Sequence, residues 1–194
     1  RKLPIMTQLA KASGRKIGIV SSVSIDHATP AAFYSHAAGR SVYYGIALQL
    51  AESGFDYFAG GGLKKPKGDK GDQPDAFEAI AKAGYAITRT RDEFLKLNAS
   101  SGKVLAINPV LDRDKALSYE IDRKDGEITL AEFTAKGIEL LDNPNCFFMM
   151  VEGGKIDWAC HANDAGSTIH DTLALADAVQ VAIDFAAEHP DETL

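Results

Sequence analysis

Two cysteines in 194 residues, Cys146 and Cys160, cannot build the disulfide framework of a small secreted domain. The chain therefore carries no redox evidence of its own, and Cys160 is expected to be a small buried residue. No apolar run approaches the length of a membrane span, and no basic stretch leads into an apolar core as in a signal peptide. Positive charge is also short: 21 Lys and Arg against 27 Asp and Glu leave a net charge of −6. That balance argues against nucleic acid or an anionic membrane as partner. It leaves a phosphate substrate open, because bound metal ions would reverse the sign locally. The glycines at Gly60-Gly61-Gly62 lack the Gly-Lys-Ser/Thr ending of a nucleotide-binding P-loop. Asp125-Gly126-Glu127-Ile128 imitates a calcium loop, but its first and third ligand positions would be Ile121 and Arg123. What remains is globular: 45% apolar residues, enough for a core, and one domain over 1–194 as the default.

The chain alternates strand and helix patterns without internal repeats, which predicts an α/β fold with a mostly parallel sheet flanked by helices. Strands are expected at Lys16–Ser21, Tyr57–Ala59, Tyr85–Thr88, Val104–Ile107 and Phe147–Val151. The last is a continuous apolar run and is expected to be buried. Helices are expected from Leu3 to Ala12, from Pro30 on, from Ser41 to Glu52, from Pro74 to Ala83, from Asp92 to Leu97 and from Thr129 to Leu141. A long amphipathic helix over Thr168–Glu188 carries Ile169, Leu173, Ala176, Val179 (or Gln180 beside it) and Ile183 at helical spacing, which predicts core residues. Residues 60–73, rich in Gly, Lys, Asp and Pro, are expected to form a mobile loop.

Two clusters carry chemistry. In Val151-Glu152-Gly153-Gly154-Lys155-Ile156-Asp157-Trp158-Ala159-Cys160-His161, Glu152 ends the apolar strand, where open α/β sheets place their ligands. Asp157 and His161 are four apart, so on a helix both face one way and can grip one ion. Carboxylate with imidazole suits zinc, and a carboxylate with hydroxyl and water suits magnesium. Taken alone, Asp-x-x-x-His is more often a solvated helix face. The second cluster, Ser21 to Arg40, holds His27-Ala28-Thr29-Pro30-Ala31. Thr29-Pro30 reads as an N-cap followed by proline at the first helical position, and Arg40 as a cation closing that helix.

Together the clusters resemble the alkaline phosphatases. His27-Ala28-Thr29-Pro30-Ala31 with Arg40 eleven residues after Thr29 matches one family segment, and Val151-Glu152-Gly153 with Ile156, Asp157 and His161 matches another. The resemblance implies phosphate monoester hydrolysis through a phosphoserine intermediate, with two zinc ions and one magnesium ion in the parent enzyme. Thr29 and Glu152 would be magnesium ligands, Asp157 and His161 ligands of one zinc, and Arg40 the catalytic clamp on the phosphoryl group. His27 and Trp158 would tune metal and phosphate affinity from behind the ligands. Trp158 could equally be a packing residue.

The resemblance also implies an Asp-Ser-Ala nucleophile segment and further zinc ligands, none of which the chain contains. An interior piece that is inactive alone is therefore expected, with Asp191-Glu192-Thr193-Leu194 opening a further strand. The partner implied is a small-molecule phosphate monoester. The location implied is periplasmic or secreted, and a homodimeric parent is compatible with the family. A non-catalytic metal- or phosphate-binding relative, or a sister metallohydrolase of diesters or sulfates, stays open as an alternative.

Overall fold

The computed structural model describes residues 3–191. Of the strand expected at 191–194, Asp191 lies in a turn, and 192–194 lie outside the described residues. In chain order the elements are α1 (Met6–Ala12), β1 (Lys16–Ser21), α2 (Ala28–Ala32), α3 (Tyr43–Ser53), β2 (Tyr57–Gly60), α4 (Ala76–Lys82) and β3 (Tyr85–Thr88). There follow α5 (Arg91–Leu95), β4 (Lys103–Ile107), a short 3-10 turn (Glu120–Asp122), α6 (Leu130–Leu141), β5 (Phe147–Glu152), α7 (Lys155–His161) and α8 (Ala165–Glu188). The strands form one sheet of order β3-β4-β2-β1-β5, with every neighbouring pair parallel. The α/β class and the parallel sheet flanked by helices are as the sequence predicts.

Alternation along the strands divides the core into two layers. Ile17 and Ile19 of β1, Phe58 of β2 and Leu105 of β4 pack with Ile46 and Leu50 of α3 and Ile80 of α4 on one face. Val20, Tyr57, Val104 and Ala106 pack with Phe133 and Leu141 of α6 and Ala178 of α8 on the other. The start of α6 is fixed by a capping box in which the Thr129 hydroxyl accepts from the Glu132 N–H and Glu132 reaches back to the Thr129 N–H. Glycine is required where β2 ends: a Cβ on Gly60, at φ 128°, would stand 1.8 Å from the Ser21 carbonyl oxygen. The strand ends thus close tightly at the carboxyl end of the sheet, and that end carries the candidate site.

Several local expectations are corrected. The run Phe147–Val151 is half-buried rather than buried, because β5 is an edge strand paired only to β1 among the described residues. Thr29 is not the cap of α2: His27 is, its carbonyl accepting the Ala31 N–H, and Pro30 is tolerated as the third helical residue because first-turn N–H groups need no partner. Arg40 does not close that helix, which ends at Ala32; it lies in a turn before α3. Cys160 is exposed on α7, as is Cys146 before β5. The first helix begins at Met6 rather than Leu3, and Gly60 belongs to β2 rather than to the loop.

The largest correction concerns α8. Ile169, Leu173, Val179 and Ile183 are exposed, at 58%, 58%, 48% and 53%. The helix turns Ser167, Asp171 and Ala178 inward instead. Asp171 is drawn in because its carboxylate accepts the Glu120 N–H, and Ala178 because α6 packs close.

Candidate functional site

The site assembles at the carboxyl ends of β1 and β5. Their register pairs Ser21 with Glu152 as the last residues of each strand. The Ser21 hydroxyl donates to Glu152 Oε2 at 2.6 Å and accepts the Val23 N–H at 3.2 Å. Glu152 is thereby aimed, with one carboxylate oxygen engaged by Ser21. The Ser22 N–H donates to the Glu152 carbonyl, and the Ser22 hydroxyl accepts the Lys155 N–H at 3.1 Å, which joins the end of β1 to the start of α7. Gly154 is needed at that join, since a Cβ there would meet Val23 Cγ1 at 2.8 Å.

On α7, Asp157 Oδ1 and His161 Nε2 stand 3.5 Å apart, one turn from each other. Two ligands of one tetrahedral zinc, each about 2.0 to 2.2 Å from it, are separated by about 3.3 to 3.5 Å, so the pair fits a shared ion with little movement. Both side chains are mostly exposed, Asp157 at 71% and His161 at 81%, which leaves the carboxylate and imidazole free to turn toward it. Among the described residues no group of three or more His, Cys, Asp or Glu side chains is gathered to hold a metal. Thr29 is exposed on the first turn of α2.

His27 is the hub of the organic part of the site. Its Nε2 lies 3.1 Å from Arg40 Nη2, and its ring meets Trp158 edge-on at 5.4 Å between centroids and 70° between planes. A guanidinium only donates, so Nε2 accepts here, and the imidazole is neutral with its proton on Nδ1. Burial, and then the charge of Arg40, hold the His27 pKa below its usual value, which agrees with that protonation state. Glu152 and Asp157 act on it in the opposite sense. The residues named from sequence around His27, namely Arg40, Trp158, Glu152 and Asp157, therefore come together in one region drawn from the two clusters.

Sequence reasoning missed the layer beneath. Lys155, buried at 2% exposure, places its ammonium 2.7 Å from Asp112 Oδ2, 3.8 Å from the centre of the Tyr119 ring and 5.1 Å from that of Trp158. Asp26 is buried beside His27 in sequence; one of its oxygens accepts the Lys64 N–H, and the other has no partner among the described residues. Burial raises its pKa to about 6. Ser21 and Ser22 could have been flagged as hydroxyls closing an apolar strand run, where α/β sheets bind ligands. Nothing local marks Asp112, which meets Lys155 only through the fold.

The family model described as alkaline phosphatase matches residues 1–194. Alkaline phosphatase 3 of Bacillus subtilis is 34% identical over 186 residues, covering 92% of this chain and 38% of its own length. The repressible alkaline phosphatase of Saccharomyces cerevisiae is 32% identical over 214 residues, covering 96% and 38%. Among solved structures, the cold-active alkaline phosphatase of the psychrophile Shewanella sp. superposes with a TM-score of 0.85 at 31% identity, over 98% of this chain and 45% of that one. A mutant TAB5 alkaline phosphatase with Mg bound gives a TM-score of 0.85 at 30% identity, over 100% and 54%. The chain spans about two fifths of the length of these curated relatives.

Proposed function

The chain belongs to the alkaline phosphatase family, and from that premise we propose that the whole protein hydrolyses phosphate monoesters through a phosphoserine intermediate, using two zinc ions and one magnesium ion. The observation that carries the proposal is the 3.5 Å approach of Asp157 Oδ1 to His161 Nε2 on α7, the helix that follows Glu152 at the end of β5. In this reading Asp157 and His161 hold one zinc, and Thr29 and Glu152 hold magnesium. Bound metal would supply Lewis acidity at the ester oxygens and lower the pKa of water for hydrolysis.

The chain's own residues do the rest. Arg40 presents a planar fork to two non-bridging phosphoryl oxygens. His27 accepts one guanidinium N–H and so fixes the orientation of the fork while remaining neutral. Trp158 packs against His27 in an edge-on ring contact and helps hold the imidazole in place. Ser21 holds Glu152 by one oxygen and leaves the other for the metal. The substrate is a small-molecule phosphate monoester. A periplasmic or secreted location and a homodimeric assembly belong to the same proposal and rest on family membership. No described helix is long and apolar enough to cross a membrane.

The test is full-length protein assayed with an aryl phosphate, an aryl phosphodiester and an aryl sulfate, with zinc and magnesium added or removed by chelation. Metal-dependent release from the monoester, lost in Glu152→Gln and His161→Ala, is expected. Faster turnover of the diester or the sulfate, or no turnover of any ester by the metal-loaded protein, would overturn the proposal.

A further inference from the structure

Lys155 is a cation in the wrong place for its helix. It opens α7, where the helix dipole favours negative charge, and it is buried, where an unpaired ammonium is costly. Neither helix formation nor core packing selects lysine there. Its surroundings do: Asp112 Oδ2 at 2.7 Å, the face of Tyr119 at 3.8 Å and the face of Trp158 at 5.1 Å. Asp112 is itself fixed, its other oxygen accepting the N–H groups of Asp114 at 2.8 Å and Ala116 at 2.9 Å. Trp158 is three residues further along the same helix, on the side of the helix that Lys155 occupies. From Trp158 the contacts continue to His27 and from His27 to Arg40. A line of contacts thus runs from the loop after β4, beneath α7, to the guanidinium.

We propose that Lys155 is a positioning residue for the phosphate site: anchored by Asp112 and Tyr119, it holds the Trp158 ring by a cation–π contact, and through Trp158 it keeps His27 and Arg40 aligned. The proposal rests on the reading of Arg40 as the phosphoryl clamp. Lys155 touches neither substrate nor metal in this arrangement. Removing its charge should loosen the Trp158 ring and then the binding of the phosphoryl group, while a guanidinium in its place should preserve both, since arginine also stacks on aromatic faces and pairs with carboxylate.

Trp158 is the single tryptophan of the chain, so its fluorescence reads the first half of the proposal without any turnover. Acrylamide quenching of the 194-residue chain should become more efficient in Lys155→Met and return to the wild-type level in Lys155→Arg. In the full-length protein, the inhibition constant of inorganic phosphate and the KM for an aryl phosphate should rise about fivefold or more in Lys155→Met, with kcat falling less, and recover in Lys155→Arg. A lowered melting temperature with unchanged quenching and unchanged phosphate inhibition would mean a merely structural ion pair and would overturn the proposal. Should Lys155→Met fail to fold, Asp112→Asn reads the same quantities, since it releases the anchor and keeps the lysine; unchanged quenching there overturns the proposal equally. The two readings fail separately: wild-type protein that binds no phosphate defeats the phosphatase reading, whereas unchanged quenching defeats the role of Lys155.

Discussion

Arg40 lies in a turn between α2 and α3, so its charge serves no helix end, which agrees with the proposed role on the phosphoryl group. Lysine at this position would keep the charge and lose both the second prong and the fixed contact with His27 Nε2. In the full-length protein Arg40→Lys should lower kcat/KM by about tenfold or more, roughly 1.4 kcal/mol, and weaken phosphate inhibition alongside. Kinetics indistinguishable from wild type would remove Arg40 from the site. Asp26 gives a second residue-scale expectation, in stability rather than rate. An unfolded aspartate ionises near 3.8, and burial lifts the folded value to about 6. Between those values the folded state holds more protons than the unfolded one, so stability falls as pH rises through the window and stays low above it. Over the whole window the loss approaches roughly 3 kcal/mol. Asn keeps an acceptor for the Lys64 N–H without a charge to bury, so Asp26→Asn should gain stability over wild type from about pH 4 to about pH 8. Urea unfolding across that range, with the difference constant, would show that Asp26 is solvated. This residue was not legible in the sequence, because Asp beside His in a Ser-rich loop looks solvated until the fold closes over it.

At the scale of elements, strands were read well and one helix face was read wrongly, for the same physical reason. Lys16–Ser21 follows the turn at Gly14 and Tyr85–Thr88 the turn at Gly84, and the limits of both were legible to the residue. The helix α6 was legible because Thr129 and Glu132 announce its start. Periodicity on α8 marks two apolar stripes, one through Ile169, Leu173 and Ile183 and another through Leu175, Ala178 and Phe185, and spacing alone does not say which faces the sheet. Tertiary contacts decide: Leu175 and Ala178 join the core layer with α6, and Phe185 meets Phe147. Substitution separates the stripes. In the 194-residue chain Ile183→Lys should change the unfolding free energy by no more than about 0.5 kcal/mol, as exposed positions do. Ala178→Leu, forced into a filled layer, should cost about 1 to 3 kcal/mol. The opposite order in urea denaturation would mean that α8 is rotated from the orientation seen here.

For the whole molecule, the motifs named the candidate site residues and the fold supplied the contacts that link them. His27, Arg40, Glu152, Asp157 and Trp158 were legible because their spacing matches a family pattern; Lys155 with Asp112 was not, since the pair is joined across 43 residues and only by the sheet. The same division governs metal binding. In the proposed reading the motif residues of this chain would supply only Asp157 and His161 for zinc, against three protein ligands in a usual catalytic site, and Thr29 and Glu152 for magnesium. Two ligands on an exposed helical turn gain little from being brought together, because they are four residues apart in the unfolded chain as well. Zinc should therefore bind the 194-residue chain weakly, and the chain alone should release no phosphate from an aryl ester. A ligand that binds the folded state stabilises it by RT ln(1 + [L]/Kd), so zinc at a concentration below its Kd adds less than about 0.4 kcal/mol. Thermal unfolding with and without about 0.1 mM zinc should differ by no more than that if Kd exceeds that level. Calorimetry gives the contrary outcome a clear form: tight, stoichiometric zinc uptake that survives His161→Ala would place the ion on residues other than Asp157 and His161.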